Sequence, residues 1–292
     1  MEYRFERADK DLFAVYQTIY SGADIEMWFS WKDRLNDTKW SGDSYFLMRS
    51  NEKIGGAIIS KGLVMYAFLV PPFCDRCLFW RLVIHKAKEI TNNGEIEFKG
   101  VLPDDVPVLQ NYGARAWRPR QMMCRPTDIL EDTVPDGISL ETPCEADIAE
   151  IAEAEHKAYL GTISYEMFGE DSPEHIIDGL TNFCFKWYQQ TDSIDQFVVA
   201  KAKGKIIGAC VAGMNPEMPN GFAGIDDVFV LPEYRGRGIA GAMIRRAISA
   251  AYGKTPVMKL HVLENNPAAC LYRNLGFIAG PVFTDMKMNE DT

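Results

Sequence analysis

The stretch IDDVFVLPEYRGRGIAGAMIRRAI, residues 225–248, decides the fold that this sequence predicts. It opens with an acidic pair and continues into an apolar run at 228–231, which has the length and composition of a buried strand. Pro232 ends that run because proline has no N–H to contribute to a sheet. A turn of sequence RGRG follows at 235–238, and beyond it the apolar residues recur with a helical period. The stretch therefore predicts a strand, a glycine turn and a helix.

A junction of this kind directs several backbone N–H groups and the positive end of a helix dipole to one point. Gly236 and Gly238 allow a phosphate to approach the backbone, and two arginines add positive charge. We expect a phosphorylated ligand there, with an ordinary surface turn as the alternative. The nucleotide motif G-x-x-x-x-G-K-[ST] is absent. G-x-G-x-x-G at 236–241 lacks the downstream acid that would bind a ribose.

Residues 235–240, RGRGIA, fit the pattern [QR]-x-x-G-x-[GA]. In this they resemble the pyrophosphate loop of the GNAT superfamily of acyl-CoA-dependent N-acyltransferases. LHVLENNPAACLYRNLGF at 260–277 is similar to a second signature of that superfamily, with Asn265, Tyr272 and the run NLGF in the expected order. The resemblance covers residues 138–292 in full.

Bulk properties narrow the class of protein. A chain of 292 residues, 47% hydrophobic and 25% charged, is globular and suggests one large or two ordinary domains. A net charge of −10 argues against nucleic acid or an anionic membrane as the main partner. The longest apolar stretch, 62–73, is too short to span a bilayer, and the N-terminal residues lack a signal-peptide core. Seven cysteines without framework spacing fit a reducing compartment, so we expect a cytoplasmic protein.

Self-similarity between the two halves of the chain predicts a repeated fold. Three segments align in the same order, with prolines, asparagines and glycines matched: 45–57 on 197–209, 67–83 on 228–244, and 108–114 on 271–277. The resemblance then implies an α/β (α+β in some schemes) chain of two tandem GNAT folds, each a mixed, mostly antiparallel sheet flanked by helices. We predict a degenerate first domain at 1–125, a proline- and acid-rich linker at 126–137, and a catalytic domain at 138–292.

Within the second half, periodicity predicts most of the elements. Helices are expected at 144–160 and 174–190, with a polar loop between them at 161–173. A hairpin is expected at 196–213. Later strands are predicted at 257–263 and 282–288, the last within the second domain, with a short helix between them.

The first half lacks the residues that carry the chemistry. Cys74-Asp75-Arg76-Cys77 stands where the second half has its glycine turn, and an aspartate there would repel a phosphate. Leu109 aligns with Tyr272, and its side chain has no proton to donate. The first half is therefore not expected to bind CoA in the usual way. An isolated C-x-x-C is also a weak metal signal, so we predict no metal site.

For the donor, the resemblance implies that pantetheine amides pair with a splayed central strand and that the turn and helix start bind the pyrophosphate. Asn265 matches a position that commonly contacts CoA; the alternative is that it caps the helix that starts near Pro267. The residues expected to bind acetyl-CoA are Val228, Phe229, Val230, Arg235, Gly236, Arg237, Gly238, Ile239, Ala240, Gly241 and Asn265.

For the reaction, Tyr272 matches the usual general acid, which protonates the departing thiolate; the alternative is a tyrosine that only packs in the core. Asp226 matches the position of a carboxylate base, often acting through water. Asp227, on the opposite face of the strand by alternation, would hold the ammonium or the water. The alternative for both aspartates is a solvated strand end.

The resemblance thus implies acetyl transfer from acetyl-CoA to a primary amine by direct attack in a ternary complex. Some tandem GNAT proteins acetylate elaborate small metabolites with the C-terminal copy. The alternative from another class is a CoA-binding sensor without turnover. The loop at 161–173, with Glu166, Glu170 and Asp171, is a candidate for contact with the acceptor, with a solvated loop as the alternative. Trp28 and Trp31 in the first half are candidates too, with packing in the core as the alternative.

Overall fold

The computed structural model describes residues 2–21, 43–92, 94–131, 133–168, 172–216 and 222–289, apart from the side chains of 166–168. These residues form two compact units, Met1–Gln121 with Pro281–Thr292, and Met122–Gly280. Trp28, Trp31, Glu170 and Asp171, and the side chain of Glu166, lie outside the described part, so their predicted contacts with an acceptor stay predictions.

The first unit contains a run of three consecutive strands between its first two described helices. Its elements are β1 (Tyr3–Arg7), α1 (Lys10–Tyr20), β2 (Ser44–Arg49), β3 (Glu52–Ser60), β4 (Leu63–Leu69), α2 (Arg76–Thr91), β5 (Ile96–Val101) and α3 (Val106–Asn111). The boundary between the units lies within the twelve-residue strand β6 (Arg115–Pro126). This strand was not predicted from the sequence.

The second unit repeats this order. Its elements are β7 (Ile138–Glu141), a 3₁₀ turn (Glu145–Asp147), α4 (Ile148–Tyr159), α5 (Ile163–Phe168), α6 (Pro173–Gly179), a π-helical turn (Leu180–Phe185), α7 (Lys186–Gln190), a 3₁₀ turn (Ile194–Gln196), β8 (Val198–Ala202), β9 (Lys205–Gly213), β10 (Ala223–Val230), a 3₁₀ turn (Pro232–Tyr234), α8 (Ile239–Ala251), β11 (Val257–Leu263) and α9 (Ala268–Asn274). The last strand, β12 (Ile278–Met288), follows.

Each unit is built on a mixed, mostly antiparallel sheet flanked by helices, as predicted. The strand order is β1-β2-β3-β4-β5-β12 in the first unit and β11-β10-β9-β8-β7 in the second. The pairs β4–β5 and β10–β11 are parallel. In the second unit, one core lies under α8 and includes Met243 and Ile248, and the other lies under α4 and includes Ile151 and Phe197.

The two compact units differ from the predicted domains in where the last strand lies. The prediction placed 282–288 in the second domain, whereas β12 pairs antiparallel with β5 of the first unit, with Met286 opposite Phe98. Met286 and Met288 are buried in the core of that unit. An apolar alternating strand fits any sheet of suitable length, so its pattern does not specify its partner.

Two local features of the second unit differ from the prediction. The expected polar loop at 161–173 contains the short helix α5. The expected helix at 174–190 is helical throughout, but its middle is a π-helical turn at Leu180–Phe185. A π turn accommodates one extra residue, which a search for a 3.6-residue period does not reveal.

Candidate functional site

Strands β10 and β11 pair over only a short length. The parallel register covers Ala223–Ile225 against Met258–Leu260, although β10 continues to Val230 and β11 to Leu263. The remaining part of β10 keeps its antiparallel partner β9, so one edge of its backbone lacks a strand partner in that register. Val228, Phe229 and Val230 lie on this part of β10, where a pantetheine amide could pair with the strand.

The predicted glycine turn lies between the end of β10 and the start of α8. Gly236 has a φ of 74° and Gly238 a φ of 81°, a conformation that side-chain-bearing residues adopt at a cost. A Cβ atom at either glycine would meet no heavy atom within 4 Å, so the space beside the turn is open. Gly238 is the N-cap of α8 and supplies no side-chain hydrogen bond. The N–H groups of the first turn of α8, Ile239–Gly241, are therefore available to an anion.

The two arginines of the turn behave differently. Arg235 donates hydrogen bonds to the carbonyl oxygens of Val230 (Nε to O, 3.0 Å) and Ala158. Its side chain thus fixes the turn against the ends of β10 and α4. Arg237 is exposed, with its guanidinium 5.7 Å from the centre of the Tyr234 ring. Of the two, Arg237 has the side chain better placed to reach a phosphate.

The corresponding place in the first unit is closed by its own side chains. Asp75 caps α2 by accepting a hydrogen bond from the Leu78 N–H at 2.9 Å, so a carboxylate occupies the helix start. Trp80, which aligns with Gly241, is 3% exposed and packs edge-on against Phe98. A helix start that is already capped by a carboxylate explains physically why this half is a poor place for a phosphorylated ligand.

A β-bulge at Asp226 overturns the predicted arrangement of the acidic pair. Ile225 pairs with Ala212 and Asp227 with Val211, so Asp226 is the extra residue. Ile225 and Val228, three residues apart, both pack in the core under α8, which regular alternation would not allow. Both aspartates therefore face the side of α4, and the expectation that Asp227 lies on the opposite face from Asp226 was wrong.

Each aspartate is held by a tyrosine from a helix on that side. The Tyr188 hydroxyl, on α7, donates to Asp226 Oδ2, and the Tyr159 hydroxyl, at the end of α4, donates to Asp227 Oδ1. Asp227 Oδ1 also accepts the N–H of Val228 at 2.8 Å. Burial raises the pKa of both tyrosines well above the ordinary value, and the adjacent carboxylates raise it further. Both hydroxyls therefore remain donors at neutral pH.

The two carboxyl groups have different environments. Asp226 is exposed to solvent as a residue, yet the protein atoms packed around its carboxyl group raise the pKa of that group. Tyr188 and Lys259 oppose that rise. Asp227 is half-buried, and burial raises the pKa of its carboxyl from 3.8 to about 6, against the hydrogen bonds from Tyr159 and Val228.

Tyr272 lies on α9 and is 8% exposed, with its ring 6.0 Å from that of Phe277 in an edge-on arrangement. Burial raises the pKa of its hydroxyl, with smaller contributions from the nearby Asp227 and Cys210. The phenol is therefore protonated at neutral pH, as an acid must be before it acts. The predicted packing role is also present, since Tyr272 belongs to the core under α8.

Asn265 is exposed and has a φ of 65° in the turn that follows β11. The alternative that it caps the next helix does not hold, because Asn266 performs the local bond. Asn266 Oδ1 accepts the N–H of Ala268 at 2.9 Å. The side chain of Asn265 is therefore not required for the start of α9.

Three residues of the site were missed from the sequence: Tyr159, Tyr188 and Glu155. Glu155 is half-buried, one helical turn before Tyr159 on α4, and acts on the pKa of Asp227. The helical period would have placed Glu155 and Tyr159 on one face of α4. Nothing local in the sequence indicates that this face meets the acidic pair.

Comparison with known proteins identifies the family that this part of the chain resembles. Residues 148–277 match the model of the Acetyltransferase (GNAT) family. The chain is 37% identical over 98 residues to an uncharacterised N-acetyltransferase of Methanocaldococcus jannaschii, a match that spans 32% of this chain and 43% of that relative. Residues 148–277 are thus a GNAT acetyltransferase domain.

Solved structures show the same fold for the whole chain. A GCN5-related N-acetyltransferase from Sphaerobacter thermophilus has a TM-score of 0.69 at 16% identity, covering 99% of this chain and 96% of its own. A tandem GNAT protein from the clavulanic acid biosynthesis pathway has a TM-score of 0.58 at 13% identity, covering 99% of both chains. The predicted tandem GNAT fold is confirmed. In the described part of the chain, no helix combines the length and apolar character needed to cross a membrane.

Proposed function

We propose that this protein transfers an acetyl group from acetyl-CoA to a primary amine, with the second unit as the catalytic one. The observation that carries the proposal is the juxtaposition of a parted strand pair, an uncapped helix start and two tyrosine-held aspartates within one unit. Acyl transfer to an amine needs an anion site for the donor, a base for the ammonium and an acid for the thiolate. Each of these has a candidate group here.

The donor would be bound as the resemblance implies. Val228, Phe229 and Val230 offer backbone groups to the pantetheine chain, and the turn at 235–238 with the first turn of α8 receives the pyrophosphate. Arg235 stabilises the turn through its carbonyl contacts, and Asn265 is free of the capping role. For the first unit we propose no donor binding, because Asp75 caps its helix and the bulky Trp80 stands where the second unit has Gly241.

For the two aspartates the structure favours the reverse of the roles predicted from sequence. Asp227 carries the pKa of about 6 and is the aspartate whose charge acts on Tyr272, so we assign it the base. Asp226 is the exposed member and would hold the incoming ammonium. Tyr272 would donate a proton to the departing thiolate. The ammonium loses two protons in all, one to the base and one that ends on the CoA sulfur.

The test is an amine panel with acetyl-CoA, in which both CoA and the acetylated amine are measured by chromatography and mass spectrometry. Thiol-reactive dyes are unsuitable because Cys74, Cys77, Cys144 and Cys270 are exposed free thiols. Turnover with at least one amine supports the proposal. Tight acetyl-CoA binding with no product from any amine would favour a CoA-binding sensor. A cytoplasmic location remains a proposal from the cysteine usage and composition.

A further inference from the structure

The two carboxyl oxygens of Asp227 differ in their hydrogen bonds. Asp227 Oδ1 accepts two hydrogen bonds, from the Tyr159 hydroxyl and the Val228 N–H. Asp227 Oδ2 is buried and accepts no hydrogen bond from the N–H and O–H donors of the described residues. A buried, unpaired carboxylate oxygen is costly, so a donor is expected near it.

Glu155 is the side chain that can provide that donor. It lies on α4 one turn before Tyr159, so both side chains project from the same face of the helix. Glu155 is half-buried, and its interaction with Asp227 lowers the pKa of that aspartate, which is the effect of a hydrogen-bond donor. A carboxyl group donates a hydrogen bond only when it carries a proton. An ionised Glu155 at this place would repel Asp227 instead.

The other groups that act on Asp227 do not neutralise it. Tyr159 on α4, Cys210 on β9 and Tyr272 on α9 are neutral at pH 7, because burial raises the pKa of each. Asp226, on the same strand, adds a like charge. Lys259 on β11 acts on Asp226. These neighbours do not compensate the negative charge of Asp227. A proton held between Glu155 and Asp227 reduces the total negative charge of the two carboxyl groups.

We propose that Glu155 and Asp227 form a carboxyl–carboxylate pair that shares one proton, and that Glu155 passes the proton taken from the acceptor amine to solvent. Only the second part of this inference, the passage of the proton to solvent, rests on the proposed function. In the resting pair, the shared proton lies on Glu155 and bonds Asp227 Oδ2. When the ammonium gives its proton to Asp227, the pair becomes neutral, and the half-exposed Glu155 releases its own proton to water. The amine nitrogen then carries the lone pair that attacks the thioester, so protons and charge balance.

Carboxyl titration by ¹³C NMR tests the pair without any substrate. Protein labelled at aspartate Cγ is titrated, and Asp227→Asn assigns the Asp227 signal by its disappearance. Glu155→Ala removes the donor and should raise the pKa of Asp227 by about one pH unit, whereas Glu155→Gln keeps an amide donor and should leave it near the wild-type value. Glu153→Gln, on the exposed side of the same helix where Glu153 pairs with Lys157, is the control and should change nothing.

The sign of the shift decides the outcome. If Glu155 is ionised in the resting protein, removing its charge lowers the pKa of Asp227 in both Glu155→Ala and Glu155→Gln, and the proposal is overturned. Circular dichroism on each variant shows whether it is folded. The proposed role of Glu155 in turnover is tested separately, from the acidic limb of the pH profile of kcat/KM. That limb should move to higher pH in Glu155→Ala only. A shifted NMR titration with no turnover on any amine would retain the pair and refute the proposed function.

Discussion

Asp227→Asn should make the protein more stable and inactive, a combination that follows from the buried charge of this residue. The pKa of the Asp227 carboxyl is raised from 3.8 to about 6 in the folded state. At 1.36 kcal/mol for each pH unit, that difference is a cost of about 3 kcal/mol for ionising the group in the folded protein. Asparagine avoids the cost, and its amide oxygen can still accept the hydrogen bonds of Tyr159 and Val228.

The sign of the pH dependence follows from the direction of the shift. Below pH 3.8 the carboxyl is protonated in both the folded and the unfolded chain, so it contributes no difference. As the pH rises toward 6, the unfolded chain ionises first and the folded state loses stability, and above pH 6 the full cost is present. The stabilisation by Asp227→Asn should therefore be small at pH 4 and reach about 3 kcal/mol at pH 7.5.

The assay is thermal unfolding at pH 4, 5.5 and 7.5, supported by denaturant titration. For a unit of this size, about 3 kcal/mol corresponds to an increase in Tm of roughly 6–12 °C. Asp147→Asn is a control of opposite sign, because the Cys144 N–H and Lys201 hold the pKa of Asp147 below its usual value. That variant should lose stability at pH 7.5. An equal change in Tm at pH 4 and pH 7.5 for Asp227→Asn would refute the buried charge as the cause.

Four further predictions concern the site itself. Gly238→Asp should weaken acetyl-CoA binding at least tenfold by calorimetry, whereas Gly204→Asp, with a similar φ of 77° and open surroundings, should suffer the same backbone strain and bind normally. Tyr272→Phe should lower kcat by ~10²–10⁴-fold and leave the acetyl-CoA Kd unchanged, and a normal kcat would remove the acid role. Asp226→Asn should raise the KM of the amine and keep the acidic limb near pH 6; loss of that limb would return the base role to Asp226. Calorimetry should also give one acetyl-CoA site per chain, and two sites would contradict the argument that the Asp75 cap prevents donor binding in the first unit.

The features predicted correctly from the sequence are those encoded locally. The apolar run ended by Pro232 became β10, and the turn that follows has its two glycines at positive φ. Turn chemistry and strand composition depend on neighbouring residues, so a single sequence contains them. The repeat was detectable for the same reason, because both halves retain prolines and glycines at matching turns.

The features missed from the sequence depend on partners far along the chain. The bulge at Asp226 is a property of the pairing between β10 and β9, and no residue type requires it. Tyr159 and Tyr188 reach the acidic pair from helices that are 68 and 38 residues earlier. Each could equally have been a core or surface tyrosine. Tertiary packing decides which role applies, and the sequence pattern of a helix specifies only which residues share its face.

A comparison of the two units gives a physical reason to place the chemistry in the second. In the first, Asp75 supplies a hydrogen-bond acceptor at its helix start, and the buried Trp80 takes the position that aligns with Gly241. The second leaves the start of α8 uncapped and keeps Asp227 ionisable in a buried position. Both features lower the stability of the second unit, since a side-chain cap alone contributes about 1 kcal/mol to a helix. The second unit thus keeps an uncapped helix start and an ionisable carboxyl group where the first has a capped helix, so these groups remain available for a substrate.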